Sequence, residues 1–165
     1  MKKTITTIFF VLAGLIALSA QKFGYVNSAE LIRNLPEVKT ADTQLEAYQK
    51  ELFTSGEQMV KAFEAEYQAY MTKVNAGQLS QVQMQQDEAA LTQKQQEIQQ
   101  YEVTVQNQLA AKKQELYQPI LDRVQVIVNQ VGKEMGYTMI FDTSLGGLVF
   151  VEESDNLLST IQAKL

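Results

Sequence analysis

Two carboxylate pairs, Glu64 with Glu66 and Asp87 with Glu88, are the side chains whose types and spacing come nearest to chemistry. Paired carboxylates perform acid–base catalysis when they converge in a desolvated pocket that separates their pKa values. These pairs fall on long polar stretches of helical periodicity, where carboxylates are ordinary solvated charge. Asp142 ends a β-prone run with no second and third ligand clustered near it, and reads as a turn former rather than a metal ligand. The chain has no His, Cys or Trp. That excludes a zinc finger, a thiol nucleophile, a disulfide framework and a serine–histidine triad. No catalytic residue, cofactor or metal is expected, and the chain reads as a non-enzyme.

Charge and composition narrow the partners. Nineteen acidic residues against 14 basic argue against a nucleic-acid groove, which needs clustered Lys and Arg. Glutamine is the strongest bias: 22 in all, 14 of them between Gln78 and Gln118. Lys94, Glu97 and Ile98 interrupt the densest stretch, which favours a solvated helix over an amyloid-forming tract. With two prolines, Pro36 and Pro119, such a composition builds long helices.

The first residues read differently. Lys2 and Lys3 precede an apolar run from Ile8 to Leu18, and small residues follow at Ser19 and Ala20. These are the parts of a secretory signal, expected at residues 1–20, and the run is too short to be a comfortable permanent span. Cleavage leaves about 145 of the 165 residues and a net charge of −7, since two of the 14 basic residues go with the signal. An exported, Cys-free chain points to a bacterial periplasm. It must be stabilised by helix packing, by oligomerisation, or by both.

The elements follow from periodicity and caps. Residues 21–35 supply a short strand over Phe23 to Asn27 and a small helix capped at Asn27. Pro36 opens a long helix whose apolar residues Val38, Ala41, Leu45, Tyr48 and Leu52 form a coiled-coil seam. Two consecutive steps of four at Gly56 and Val60 make a stutter, so Gly56 is a candidate bend. Residues 75–79 form a turn. Ser80 and Gln83 make a capping box for a second helix of equal length, and residues 36–118 therefore read as an antiparallel helical hairpin. Pro119 is a second candidate hinge, where the returning helix enters the remaining segment. Residues 119–165 carry that helix to Met135, a β-hairpin of Tyr137 to Phe141 with Leu148 to Val151, and a final helix capped at Ser154 or Asp155. The class is α+β: a small β body with a long coiled-coil arm. So small a sheet has exposed edges and too little core, which makes subunit association the simplest remedy, without specifying the number of subunits.

Four segments in this order resemble the Skp/OmpH family of periplasmic chaperones. They are Phe23-Gly24-Tyr25-Val26-Asn27, Leu31 to Pro36, Leu116-Tyr117-Gln118-Pro119-Ile120-Leu121, and Gly136-Tyr137-Thr138-Met139-Ile140-Phe141-Asp142. The resemblance spans residues 22–165, with the arms matching by pattern more than by letter. It implies a jellyfish-like homotrimer in which strands of three chains form the body and the arms enclose a cavity. Tyr25, Val26, Tyr137, Ile140, Phe141, Val149 and Val151 are then expected in the trimer body. It also implies an ATP-independent holdase that binds unfolded outer-membrane proteins in the periplasm and prevents their aggregation. The chain departs from the basic arms of well-known members: it is acidic, which argues against membrane or lipopolysaccharide contact.

A holdase needs weak, adaptable apolar contacts rather than reacting atoms. Met59, Phe63, Tyr67, Tyr70, Met71, Val82 and Met84, on the distal arm, are of that kind. The helical stripe assigns Phe63, Tyr67 and Tyr70 to the seam between the arm helices and turns Met59, Met71 and Met84 outward. A structural coiled-coil protein of the envelope, tethering folded partners, uses the same hairpin and is the alternative.

Overall fold

A computed structural model of the protein describes residues 21–165; the expected signal segment, Met1 to Ala20, lies outside the described residues. Strand β1 (Lys22–Val26) leads into helix α1 (Ser28–Arg33) and then α2 (Pro36–Asn75). Helix α3 (Gln81–Glu134) follows, then β2 (Tyr137–Asp142), a 3-10 turn (Glu153–Asp155) and α4 (Leu158–Gln162). Two compact units result: residues 21–34 with 122–165, and residues 35–121. Among the described residues no helix is long and apolar enough to cross a membrane.

Local chemistry explains where the helices begin. Asn27 Oδ1 accepts from the Glu30 amide at 3.0 Å, satisfying one of the free donors at the start of α1. Pro36 stands at the first turn of α2, where a missing N–H costs nothing. Ser80 and Gln83 close a reciprocal box, with the Ser80 amide donating to Gln83 Oε1 at 2.9 Å and the Gln83 amide to Ser80 Oγ at 3.3 Å. At 40 and 54 residues, α2 and α3 extend about 60 and 80 Å. α3 continues through Pro119, whose ring leaves the Glu115 carbonyl without its usual helical donor.

In the first unit β1 and β2 pair in parallel, Phe23 opposite Met139 and Val26 opposite Asp142. Parallel neighbours need a long connection, and here everything from α1 to the end of α3 supplies it. The core under the sheet is small: Leu31 from α1, Val131 from α3, Leu157 and Ile161 are the largest fully buried side chains. Gly24 makes this packing possible. A Cβ there would stand 2.8 Å from Tyr137 Cε1 and 2.9 Å from Leu157 Cδ1.

The expected β-hairpin does not form within the chain. Residues 148–151 are not a strand, and the sheet has two strands. A turn does close, with the Gly146 amide on the Thr143 carbonyl at 3.2 Å. Gly146 and Gly147 then both take positive φ, 76° and 101°, and residues 148–151 make no ladder with β2. The other side of β1 is occupied instead, by a bridge from Tyr25 to Asn156 and by the Leu157 amide on the Tyr25 carbonyl at 2.9 Å. That extended stretch also moves the last helix. Ser154 and Asp155 do not cap it; they belong to the 3-10 turn, and Asn156 Oδ1 accepts from the Leu158 amide at 3.0 Å.

Asp142 acts as a clamp at the end of β2. Its carboxylate accepts from the Ser28 amide at 3.1 Å, the Ser144 amide at 2.9 Å and the Ser28 hydroxyl, joining the start of α1 to the turn after β2. Burial opposes the charged form, but these hydrogen bonds outweigh it and hold the carboxyl down to about 2, against 3.8 unperturbed. The folded value lies below the unfolded one, so the stabilisation is complete above pH 4 or so and is lost as pH falls through about 2. Asp142→Asn is expected to cost about 1 kcal/mol at pH 7, solvent screening included. Urea melts at a series of pH values should show the gap to wild type closing between about pH 4 and pH 2. A gap independent of pH would count against the clamp.

Candidate functional site

The second unit is a pair of antiparallel helices, and its cross-links show the direction. Passing along α2, Asp42 meets the Tyr117 hydroxyl, Tyr48 lies under Lys112, and the Leu52 carbonyl accepts from the Tyr101 hydroxyl at 2.9 Å. Glu66 then pairs with Lys94, and the Tyr70 hydroxyl donates to Glu88 at 2.7 Å. Each step forward in α2 meets a step back in α3. Val38, Ala41, Leu52 and Val105 are buried in the seam, with Leu45 and Tyr48 half-buried.

The carboxylates that came nearest to chemistry are thereby accounted for. Glu66 and Glu88 hold the helices together, Glu64 is exposed and Asp87 is half-buried. Each pair is divided: Glu64 lines one groove, whereas Glu66 and Asp87 line another beside Lys73. Nowhere among the described residues do three or more metal-ligating side chains converge.

The distal arm differs from the stripe in which face its residues show. Tyr67, expected in the seam, is 43 % exposed, its ring stacked at 6.3 Å on that of Phe63. Met59, Met71 and Met84, expected to point outward, are half-buried, as are Phe63 and Tyr70. Two helices cover a narrow stripe of each other, so a large ring at its margin stays wet while a flexible methionine folds back over the edge. Val82, at 63 %, is the most exposed of the seven.

At the stutter the seam opens. Gly56 offers no side chain, and the Tyr101 ring fills its place, 3.3 Å from where a Cβ would stand. Beside it lies a groove of about 900 Å³ lined by Phe53, Val60, Ile98, Tyr101, Val105 and Leu109. Phe53 is 52 % exposed there. The stripe passes Phe53 over because it sits one position beyond the seam residue Leu52. A signal for it is the neighbouring Thr54-Ser55-Gly56 triplet, the poorest helix former of the segment.

A second apolar surface belongs to the first unit. Tyr25 and Val26 are buried, Tyr137 is half-buried, and Ile140 lies against Gly132 of its own chain. Phe141, Val149 and Val151 are exposed. Phe141 and Val151, with Phe23, Leu148 and an 80 % exposed Phe150, make an apolar rim around a cavity of about 350 Å³, and Val149 stands fully exposed next to Phe150. Phe150 was not singled out by spacing, because its exposure follows from the absent strand.

Comparison with known proteins gives a family and a similar fold. The fold is similar to a crystal structure of an OmpH-like protein of Caulobacter crescentus, a candidate outer membrane chaperone. The TM-score is 0.75 at 14 % identity, over 88 % of this chain and 84 % of that one. No curated protein matches. The family described as Outer membrane protein (OmpH-like) matches residues 22–165, the two apolar surfaces included. The chain belongs to the OmpH-like family.

Proposed function

We propose that the protein is an ATP-independent holdase chaperone of the periplasm, which binds unfolded outer-membrane proteins and keeps them from aggregating. The observation that carries this reading is apolar surface left open along a helical hairpin, at Phe53, Val60, Tyr67 and Val82. Family membership and the likeness to a candidate outer membrane chaperone support it. Lys2, Lys3 and the apolar run after them support export. Tyr67 and Val82 are the foremost client contacts. Met59, Phe63, Tyr70, Met71 and Met84 add to them as the seam breathes, and Gly56 and Pro119 are where the arm flexes. Titrating the purified protein against a urea-diluted outer-membrane barrel protein tests this, with light scattering reporting complex mass. A soluble complex of defined mass is expected; co-precipitation with the client would overturn the reading.

The working form is a homotrimer, with the apolar rim of the body covered by neighbouring copies. An exposed charge placed on that rim has no partner once subunits close over it. Val149→Asp with Phe150→Asp should therefore reduce the solution mass at micromolar concentration from about three chains to one, leaving far-UV circular dichroism unchanged. An unaltered mass would place the subunit contact elsewhere. Ile140 is a poor site for this test, because it packs against its own helix.

A further inference from the structure

The groove at the stutter carries a charge pattern that the holdase reading does not use. Glu57, Glu64 and Glu102 line it together with one cation, Lys61. None of the four takes part in an ion pair among the described residues. Elsewhere on the same helix pair, Glu66 and Glu88 are tied to α3 and α2 partners. Three free carboxylates thus surround an apolar floor, with a net charge of −2.

The dimensions define what fits. On α2 the lining runs from Leu52 to Glu64, a length of about 18 Å. That accommodates about five or six residues of extended chain. In an extended chain alternate side chains point to opposite sides, so apolar residues at every second position enter the floor. The intervening side chains point the other way, where a long Lys or Arg stem can fold back to the lining carboxylates. The volume, about 900 Å³, lies within the range of pockets that bury a ligand.

We propose that this groove binds one extended segment of unfolded polypeptide in which apolar side chains alternate with Lys or Arg. The proposal rests on the holdase reading and names the part of a client that this site prefers. Strands of membrane barrels supply the alternation before they fold, and the basic residues supply the match to Glu57, Glu64 and Glu102.

Fluorescence anisotropy on the full-length oligomer tests it, with three short labelled peptides in which Phe and Val alternate with Lys, Ser or Glu. At low salt the Lys peptide is expected to bind about tenfold more tightly than the Glu peptide, with the Ser peptide between. High salt should bring the three within about twofold. In the variant Glu57→Gln, Glu64→Gln, Glu102→Gln the preference should disappear. These are helical positions, and Gln retains helical propensity. In Phe53→Gln with Val60→Gln all three peptides should weaken by about fivefold, because the apolar floor is lost. Equal binding of the Lys and Glu peptides by wild type, or a preference that survives the triple Gln variant, would overturn the proposal. So would a change of oligomer mass in either variant, which would make the groove a contact between copies. Suppression of barrel-protein aggregation is read on the same preparations. Suppression without peptide preference rejects the groove and keeps the holdase; preference without suppression keeps the groove and rejects the holdase.

Discussion

Leu157→Ala is expected to lower the free energy of unfolding by about 3 kcal/mol, the middle of the range for a fully buried leucine. Leu157 is 2 % exposed, and its backbone is held beside β1 by the bond to the Tyr25 carbonyl. The surroundings therefore cannot collapse freely into the space it leaves, and the cavity adds to the lost transfer energy. The body has few other large buried residues: Leu31, Val131 and Ile161 are the rest of the fully buried set. Losing one of four should be felt throughout the unit. Urea unfolding followed by circular dichroism, at fixed protomer concentration because association contributes to stability, gives the number. A midpoint equal to wild type would mean that the core lies elsewhere.

Gly24→Val tests the same packing from the opposite direction. Its Cβ would stand 2.8 Å from Tyr137 and 2.9 Å from Leu157, and valine adds two methyl groups beyond that. The atoms it meets belong to a rigid, half-buried aromatic ring and to the enclosed Leu157, so neither gives way cheaply. Overpacking of this kind costs about 3 kcal/mol. The two changes share one contact, so they should not add. Removing the Leu157 side chain makes room for the methyls of the introduced valine, and the double variant should recover on the order of 1 kcal/mol relative to the sum. Strict additivity would show that the two residues do not meet.

Much of the fold was legible because local chemistry specifies it. Pro36, Asn27 and the Ser80–Gln83 box mark helix starts by satisfying or removing orphan amides, and no distant residue is needed to read them. The seven-residue spacing of Val38, Ala41, Leu45, Tyr48 and Leu52 likewise announces a helix with one partner. The failures were non-local. Leu148 to Val151 has strand composition, but a strand exists only with a neighbour, and after the positive-φ pair Gly146 and Gly147 the chain does not run back along β2. Spacing along one helix also cannot reveal how far the other helix wraps around it. The stripe therefore puts Tyr67 in the seam, whereas its ring is 43 % exposed. The groove depends on Tyr101 of α3 seated against Gly56 of α2, a pairing that requires the register between the helices.

The protein contains no tryptophan, so the emission of a tryptophan-bearing barrel client reports on the client alone. The most direct measurement of the chaperone role is to dilute such a client from urea into the purified protein and record light scattering and tryptophan emission together. The account predicts flat scattering, with emission that remains that of a mobile, unfolded chain and does not acquire the signal of a folded barrel. Scattering that rises as steeply as in buffer alone would contradict it.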